Sequence, residues 1–344
     1  AAEMSSVDAL DLLMDPTVLE GLTEADCQRA YSLITHLTAG CLGSGGVVPK
    51  RLQKTCQVLA ESLGRPSDLS SCTRPQFPEL VLSNWYFTSD REGSAGSGDV
   101  QVALRFLACV DEDWYRRLHL VIHANAVSLM QAIRLGQKAM SSQDDQNLIH
   151  SLQDITAWLM DCCKFMDTEF ESKDSQSEPL MMSRLRKFVG TSEFVEEEEN
   201  TRLWVYNMGS SVLLPALHLL LGVLRAQSRL WDYFAVQHLI MPRSHRDLME
   251  SLENKRNNMR RYCLIRFASR KITVERLYDL ELAYNEALHA LMRFCSRRFR
   301  LVVRLFPDAE RQTTLHEAHE EVIKRSRLHL LTMWMDVQSS WREA

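Results

Sequence analysis

A long apolar stripe in the C-terminal third of the chain constrains the fold more than any other feature. Between Val274 and Phe306 large apolar residues recur every three or four positions, which is the spacing of one helix face. Neither proline nor glycine interrupts this stretch. The spacing therefore predicts one long helix whose apolar face lies in a core.

Arg298 lies inside this stripe. It follows Phe294 by four residues and precedes Leu301 by three, so it shares their face of the predicted helix. A guanidinium stays charged at any ordinary pH, so it cannot enter a core as a neutral group. Arg298 therefore needs a partner, a ligand or a route to water.

The other periodic segments also read as helices, and no stretch alternates convincingly between apolar and polar residues. Thr23, with Asp26 three positions later, marks a capped helix start. Further helices are expected over Phe77–Phe87, Asp113–Met140 and Ser210–Gln227. These patterns predict an all-α protein.

Two parts are expected within this helical chain. Residues 1–100 form a small N-terminal helical part, which ends in a loop rich in glycine and serine. Residues 101–344 form a larger helical bundle with an apolar centre. Bundles of this kind hold ligands between facing helices, so we expect the pocket in the second part.

The cysteines and the apolar runs bear on where the protein works. The chain has nine cysteines, an odd number without a CxxC pair, which favours free thiols in a reducing compartment. We expect an intracellular, cytoplasmic protein. A mitochondrial location stays open, because the chain begins at Ala1 without a methionine. No membrane span is expected, since the longest apolar run, Val212–Leu224, is too short.

Charge is distributed unevenly. The formal net charge is −5, which favours neither nucleic acid nor lipid as a partner. Four arginines nevertheless follow one another at helical spacing and form a basic ridge: Arg293, Arg297, Arg300 and Arg304. The ridge could hold phosphates or an acidic protein, or it could be a solvated helix face that pairs with the acidic run Glu196–Glu199.

His119 and His123 stand four residues apart on one predicted helix and could share a metal ion. No third ligand is evident nearby in the sequence, and both residues lie in an apolar stretch. Packing or hydrogen-bonding histidines are the expected interpretation, and no metal site is predicted.

Six segments, in one order, resemble indoleamine 2,3-dioxygenase and its relatives among the tryptophan dioxygenases. Gly209–Gly222, for example, is similar to the family's Gly-Gln-Ser-Ser helix, which ends in Leu-Leu-Gly. Met241–Arg246 is similar to its Met-Pro-Pro-Ser/Ala-His-Lys/Arg segment. The six segments are Phe77–Trp85, Asp111–Tyr115, His150–Ile155, Leu185–Gly190, Gly209–Gly222 and Met241–Arg246.

This resemblance implies a helical bundle that holds haem b and a reaction that inserts O₂ into the indole ring of tryptophan. A family arginine that pairs with the substrate carboxylate falls on Arg186. The pocket aromatics fall on Phe77, Trp114 and Tyr115, and a third aromatic position becomes Met181. The resemblance also assigns three further residues to the pocket: Val189, Met208 and Gly209.

The same resemblance fails at the iron. The histidine that ligates haem in the family falls on Arg298, and arginine offers no lone pair to a metal. His289 lies nine positions earlier, roughly 13 Å along a helix, which is too far to replace it. The small residues that make room for haem are replaced by the large residues of Val205–Met208.

Three hypotheses follow. The chain is a haem-free descendant that acts as a binding or scaffold protein, and no cofactor is expected. Alternatively, it is a haem enzyme with altered ligation, for instance through a Cys295 thiolate, that acts on tryptophan or another aromatic amine. The third hypothesis, compatible with the first, is an anionic ligand in the vacated cavity, bound by Arg186 and Arg298.

Overall fold

Helices make up most of what the computed structural model describes, so the all-α class is confirmed. The described residues are 21–67, 75–87, 100–107, 109–173, 192–195, 202–205, 211–223, 234–235, 238–253, 258–268, 272–305, 320 and 323–328. The helices named here are, in order, α1 (Glu24–Gly43), α2 (Lys50–Ser62), α3 (Val110–Ala124), α4 (Val127–Ser142), α5 (Asp145–Lys173), α6 (Leu213–Leu220), α7 (Arg243–Glu253), α8 (Met259–Ala268) and α9 (Val274–Leu305).

The predicted start of α1 is confirmed. Thr23 is the N-cap, and its hydroxyl oxygen accepts the backbone N–H of Asp26 at 3.2 Å. The same hydroxyl donates to the Asp26 carboxylate at 2.6 Å. One side chain therefore satisfies a helix N–H that has no carbonyl partner within the helix.

Two short antiparallel hairpins correct the expectation that strands are absent. β1 (Trp85–Phe87) pairs with β2 (Val100–Val102), and β3 (Ser192–Val195) pairs with β4 (Arg202–Val205). Strands this short carry too little alternation to register as a periodic pattern.

The helix predicted over Phe77–Phe87 is also wrong. A π-helical turn, Pro78–Leu82, ends before Asn84, and the aromatic run that follows is β1. The Asn84 amide donates to Leu80 O at 3.2 Å, and its oxygen accepts the Leu104 N–H at 2.6 Å. Asn84 thus ties the end of the turn to the chain beyond β2, while aromatic side chains favour a strand.

The long helix predicted over Asp113–Met140 is two helices, because the chain turns at Asn125 and Ala126 between α3 and α4. The Trp158 indole donates to Asn125 O at 2.9 Å, which satisfies a carbonyl at the break. A break that depends on a distant tryptophan leaves no mark in the local pattern.

The helix predicted over Ser210–Gln227 is shorter in the structure, where α6 covers Leu213–Leu220. Gly222 adopts φ +70°, and the Val223 N–H reaches back to His218 O at 2.9 Å. This is the glycine C-cap that commonly ends helices. Residues 224–227 of the prediction lie outside the described residues.

The chain divides into two compact units. The first comprises Ala1–His123, Ser177–Val212 and Tyr233–Arg246, and the second comprises the intervening and remaining segments. Each unit therefore draws on separated stretches of sequence. The predicted division into residues 1–100 and 101–344 stays a prediction.

In the second unit, α5 and α9 pack along each other and α4 packs on α5. The long helix predicted from the apolar stripe is confirmed as α9 to within one residue. Tyr284 on α9 is fully buried, and its hydroxyl donates to Leu221 O at 2.6 Å. At the start of α5, Asp145 accepts the Tyr262 hydroxyl at 2.8 Å and forms an ion pair with Arg266. These contacts fix α6 and α8 to the two long helices.

Candidate functional site

Phe77, which the resemblance assigns to the pocket, lies in the first unit and is only 3% exposed. The residues that follow it are anchored by a buried ion pair between Arg65 and Glu79, whose side chains are 3% and 1% exposed. Glu79 also accepts the Gln76 N–H at 3.0 Å, and its own carbonyl accepts the Ser32 hydroxyl of α1 at 2.7 Å. The π-helical turn is therefore held on both sides, and Phe77 is held at its start.

Trp114 and Tyr115, which the resemblance also assigns to the pocket, lie in the second turn of α3 and are buried. The helix start before them is fixed by Glu112. Its carboxylate accepts the backbone N–H groups of Phe106 and Leu107, the latter at 2.7 Å. Glu112 also forms a buried ion pair with Arg116 one turn later. This network holds the incoming chain against α3 and so sets the rotation of Trp114 and Tyr115.

A neutral histidine completes this network. His36 Nδ1 donates to Ser32 O at 2.7 Å, which leaves Nε2 to accept from Arg116 at 3.4 Å. Burial, together with the charge of Arg116 and against the opposing effect of the bond to Ser32, lowers the pKa of His36 to about 3. His36 also stacks on Phe106 with ring centroids 4.9 Å apart.

An aromatic cluster extends from Phe77 along one face of α3. The Tyr115 and His119 rings meet edge to face at 4.7 Å, and the Phe77 ring lies 5.2 Å from that of His123. His123 Nε2 is hydrogen-bonded to the Ser211 hydroxyl at 2.8 Å. His119 therefore packs against aromatic rings, and His123 both packs and forms a hydrogen bond, in keeping with their expected interpretation. The described residues contain no group of three metal-binding side chains close enough to share an ion.

Arg298 lies in the second unit and is 5% exposed, so the arginine on the apolar stripe is indeed buried. The guanidinium carbon lies 5.3 Å from the ring centroid of Phe294, which is a cation–π distance. His289 is exposed at the surface of α9 and does not share this environment.

His218 on α6 is a residue whose role the sequence reasoning missed. It is fully buried, and its Nδ1 donates to Leu214 O at 2.7 Å. The pKa of His218 is lowered to about 4, mainly by burial; the bond to Leu214 opposes this effect, and the positive charge of Arg298 adds to it. His218 is therefore neutral at physiological pH and close enough to Arg298 to sense its charge. The only signal in the sequence was one histidine in an otherwise apolar helix.

Cys295, the thiolate proposed as an alternative iron ligand, is buried beside Arg298. Burial raises its pKa to about 12, although the charge of Arg298 lowers it. Cys162 on α5 has a pKa raised to about 12 for the same reason, with Arg298 again opposing the effect of burial. Both groups are thiols at neutral pH, so a metal would have to ionise them before they could bind it.

The resemblance assigns the iron ligand to position 298, and the described side chains around that position do not fit iron ligation. The residue at that position is a buried guanidinium without a lone pair, and the neighbouring thiols are protonated. His218 is the one described neutral histidine that senses the charge of Arg298.

The remaining predicted site residues stay predictions, because they lie outside the described residues. Arg186 is among them, so the hypothesis of an anionic ligand bound by Arg186 and Arg298 also stays a prediction. These residues are Met181, Arg186, Val189, Met208 and Gly209.

The basic ridge is partly accounted for. Arg297 forms an ion pair with Asp167 of α5 at 3.1 Å, not with the acidic run Glu196–Glu199, which lies outside the described residues. Arg300 is exposed and Arg293 is half-buried, while the side chain of Arg304 is not among those described.

Comparison with protein families tests the resemblance. Residues 4–329 match the indoleamine 2,3-dioxygenase family. The chain belongs to that family. No curated protein matches the chain. The resemblance seen in the six segments is therefore confirmed, and it extends over nearly the whole chain. Members of the family normally bind haem. In the part of the chain that the structure describes, no helix is long and apolar enough to cross a membrane.

Proposed function

We propose that this member of the indoleamine 2,3-dioxygenase family is haem-free and acts as a binding or scaffold protein. The observation that carries the proposal is the buried guanidinium of Arg298, at the position that the resemblance assigns to the iron ligand. A guanidinium cannot donate an electron pair to iron, and its charge opposes a second cation at the same place.

The nearby groups support the same conclusion. A Cys295 thiolate would have to form against a pKa of about 12 in a buried site. His289 is exposed and roughly 13 Å away along α9. Neither residue supplies the lost ligand without a rearrangement of the core.

The test is an absorption spectrum of the full chain, expressed with a haem precursor and then titrated with haemin. We expect no Soret band from tightly held haem in the wild type. Stoichiometric haem that survives gel filtration would refute the proposal.

Two histidine variants separate a lost ligand from a filled pocket. Arg298→His restores an imidazole at the assigned position, and Arg297→His is the control on the ridge. A Soret band in Arg298→His alone would show that only the ligand had been lost. If neither variant binds haem while both remain folded, the pocket is filled as well, and the protein is haem-free on two grounds.

A second candidate function is a haem enzyme with altered ligation that acts on tryptophan or another aromatic amine. His218 favours it, since it is buried, neutral and held through Nδ1 by a backbone carbonyl, as metal-binding histidines usually are. Phe77, Trp114 and Tyr115, the aromatic residues that the resemblance assigns to the pocket, are buried.

This candidate predicts a Soret band and kynurenine-type product in the wild type. His218→Ala should then abolish the band, while the exposed His150→Ala should leave it unchanged. An unchanged spectrum in His218→Ala would remove His218 as the ligand.

For either function we propose an intracellular, cytoplasmic protein. All eight cysteines in the described residues are free thiols, which suits a reducing compartment.

A further inference from the structure

The outer face of α9 carries acidic residues in its first half and basic residues in its second. The face is defined here by Glu275, Asp279, Leu282, Glu286, Arg293 and Arg300. Apart from Asp279, successive members are separated by seven, four, seven and seven residues, which keeps them on one side of the helix. The core residues of α9 occupy the opposite side.

This face is open to solvent. Leu282 is 44% exposed, and the neighbouring Tyr278 is 50% exposed. Glu275, Asp279, Glu286 and Arg300 are all exposed. The acidic half thus displays two large apolar side chains among carboxylates, an arrangement that suits an arginine-bearing partner.

A groove adjoins the acidic half, between α9 and the N-terminal part of α5. Its volume is about 270 Å³, and Asp279, Leu282 and Glu286 of α9 line it together with Ile149 of α5. Two carboxylates seven residues apart, with a leucine between them, can bind an arginine side chain. The carboxylates accept hydrogen bonds from its guanidinium, and the leucine packs against its aliphatic stem.

We propose that this face is the interface of a symmetric dimer, in which the α9 helices of two copies lie antiparallel. With the two-fold axis near residue 288, the acidic half of each copy faces the basic half of the other. Glu275 then lies opposite Arg300 of the second copy. Arg293 of the second copy lies opposite Leu282 and is flanked by Asp279 and Glu286 of the first copy. Every contact occurs twice, as an isologous interface requires.

A second copy fits this face better than other occupants because both complementary halves lie on one helix. A basic peptide would satisfy only the first half, and an acidic protein only the second. The acidic partner expected for the basic ridge is therefore the acidic half of this face on the second copy. The inference does not depend on whether haem is bound.

The size of the face sets the expected strength. From Glu275 to Arg300 it runs roughly 38 Å at about 1.5 Å per residue. A strip this long and one helix wide falls below the roughly 1,600 Å² of a standard interface, so the dimer should be weak and reversible. Its charge pairs are exposed, so salt should weaken it.

Sedimentation velocity of the full chain tests this inference. Between about 1 and 100 µM in 50 mM salt, we expect the sedimentation coefficient to rise from the monomer value toward that of a dimer. In 500 mM salt the rise should shift to higher concentration. A chain that stays monomeric over the whole range at low salt would overturn the proposal.

Charge reversal locates the interface. Glu275→Lys with Asp279→Lys should give monomers, because both ends of the dimer become like-charged. Arg293→Glu with Arg300→Glu should do the same. An equimolar mixture of the two double variants should dimerise again, since each reversed half then meets its complement. Arg297 is left unchanged because it pairs with Asp167 within the chain.

The matched control is Asp154→Lys with Asp161→Lys, which reverses two exposed carboxylates on α5, away from the face. Circular dichroism confirms that each variant is folded. The proposal fails if the control disrupts the dimer as strongly as the face variants do. It also fails if the mixture stays monomeric.

A cysteine cross-link tests the antiparallel register. His289 is exposed on the same face and lies nearest the proposed axis, so His289→Cys should form a disulfide with its own copy under mild oxidation. Glu275→Cys lies about 39 Å from its copy in this arrangement and should not cross-link. Equal cross-linking of the two variants would refute the register.

Discussion

Removing one partner of the Arg65–Glu79 ion pair should destabilise the protein far more than removing a surface charge. Both side chains are almost fully buried, and the Arg65 guanidinium also donates to Gln28 Oε1 at 2.7 Å. In Glu79→Gln the guanidinium stays buried and charged beside an amide that cannot neutralise it. Breaking a buried pair in this way typically costs about 3–5 kcal/mol.

The loss of the Glu79 carboxylate should also disturb the candidate site around Phe77. Glu79 holds the Gln76 N–H and so fixes the backbone before Phe77. Urea unfolding at 25 °C, followed by far-ultraviolet circular dichroism, gives the change in free energy. Near-ultraviolet circular dichroism should also change, because the aromatic cluster around Phe77 loses its support.

The control is Asp161→Asn, which removes a surface ion pair with Lys164 whose side chains are 73% and 74% exposed. Such pairs contribute about 0–1 kcal/mol. The double variant Arg65→Met with Glu79→Leu should recover most of the loss, since no buried charge remains. The reasoning is refuted if Glu79→Gln costs no more free energy of unfolding than Asp161→Asn. It is also refuted if the double variant loses as much free energy of unfolding as Arg65→Met and Glu79→Leu lose separately, added together.

Three further predictions concern stability. His36 and His218 have pKa values of about 3 and about 4, below the ~6.5 of an unfolded histidine. The free energy of unfolding should therefore be highest above pH 6.5 and should fall by about 3 kcal/mol for each histidine toward pH 4. Urea unfolding midpoints at pH 7.5, 6 and 5 measure this loss. Gly222→Ala should cost about 1–2 kcal/mol or more in urea unfolding, because φ is +70° and an added Cβ would clash with Asn258 Oδ1. Thr23→Ala should cost about 1 kcal/mol by removing the α1 cap, whereas Thr23→Ser should cost almost nothing.

Long helices were predictable from the sequence where the apolar repeat continued without interruption. The α9 helix emerged within one residue, because its apolar face repeats over the full length and no glycine or proline interrupts it. The start of α1 was readable because Thr23 and Asp26 form a local cap. The break at Asn125 was not, since it depends on Trp158, more than thirty positions away.

Within the site, burial was predictable and pairing was not. The resemblance assigned Phe77, Trp114 and Tyr115 to a pocket, and aromatic side chains of that kind are commonly buried, as these three are. Their supports, such as the Glu112–Arg116 pair, join residues whose charges ordinarily indicate a solvated helix face. His218 was missed for a related reason: one histidine in an apolar helix carries no spacing signal, and its neighbour Arg298 lies eighty positions later.

The fold and the reaction of this family depend on different parts of α9, so one can persist without the other. The fold is held by the core face, where Leu280, Tyr284, Leu288 and Leu291 are fully buried. Iron chemistry in the family depends on one lone pair from one side chain, and the resemblance assigns that position to Arg298. Substituting that single residue leaves the four core contacts intact, so the family match over residues 4–329 is evidence for the bundle and not for the reaction. The function of this chain therefore has to be argued from what its surface and its buried charges can bind.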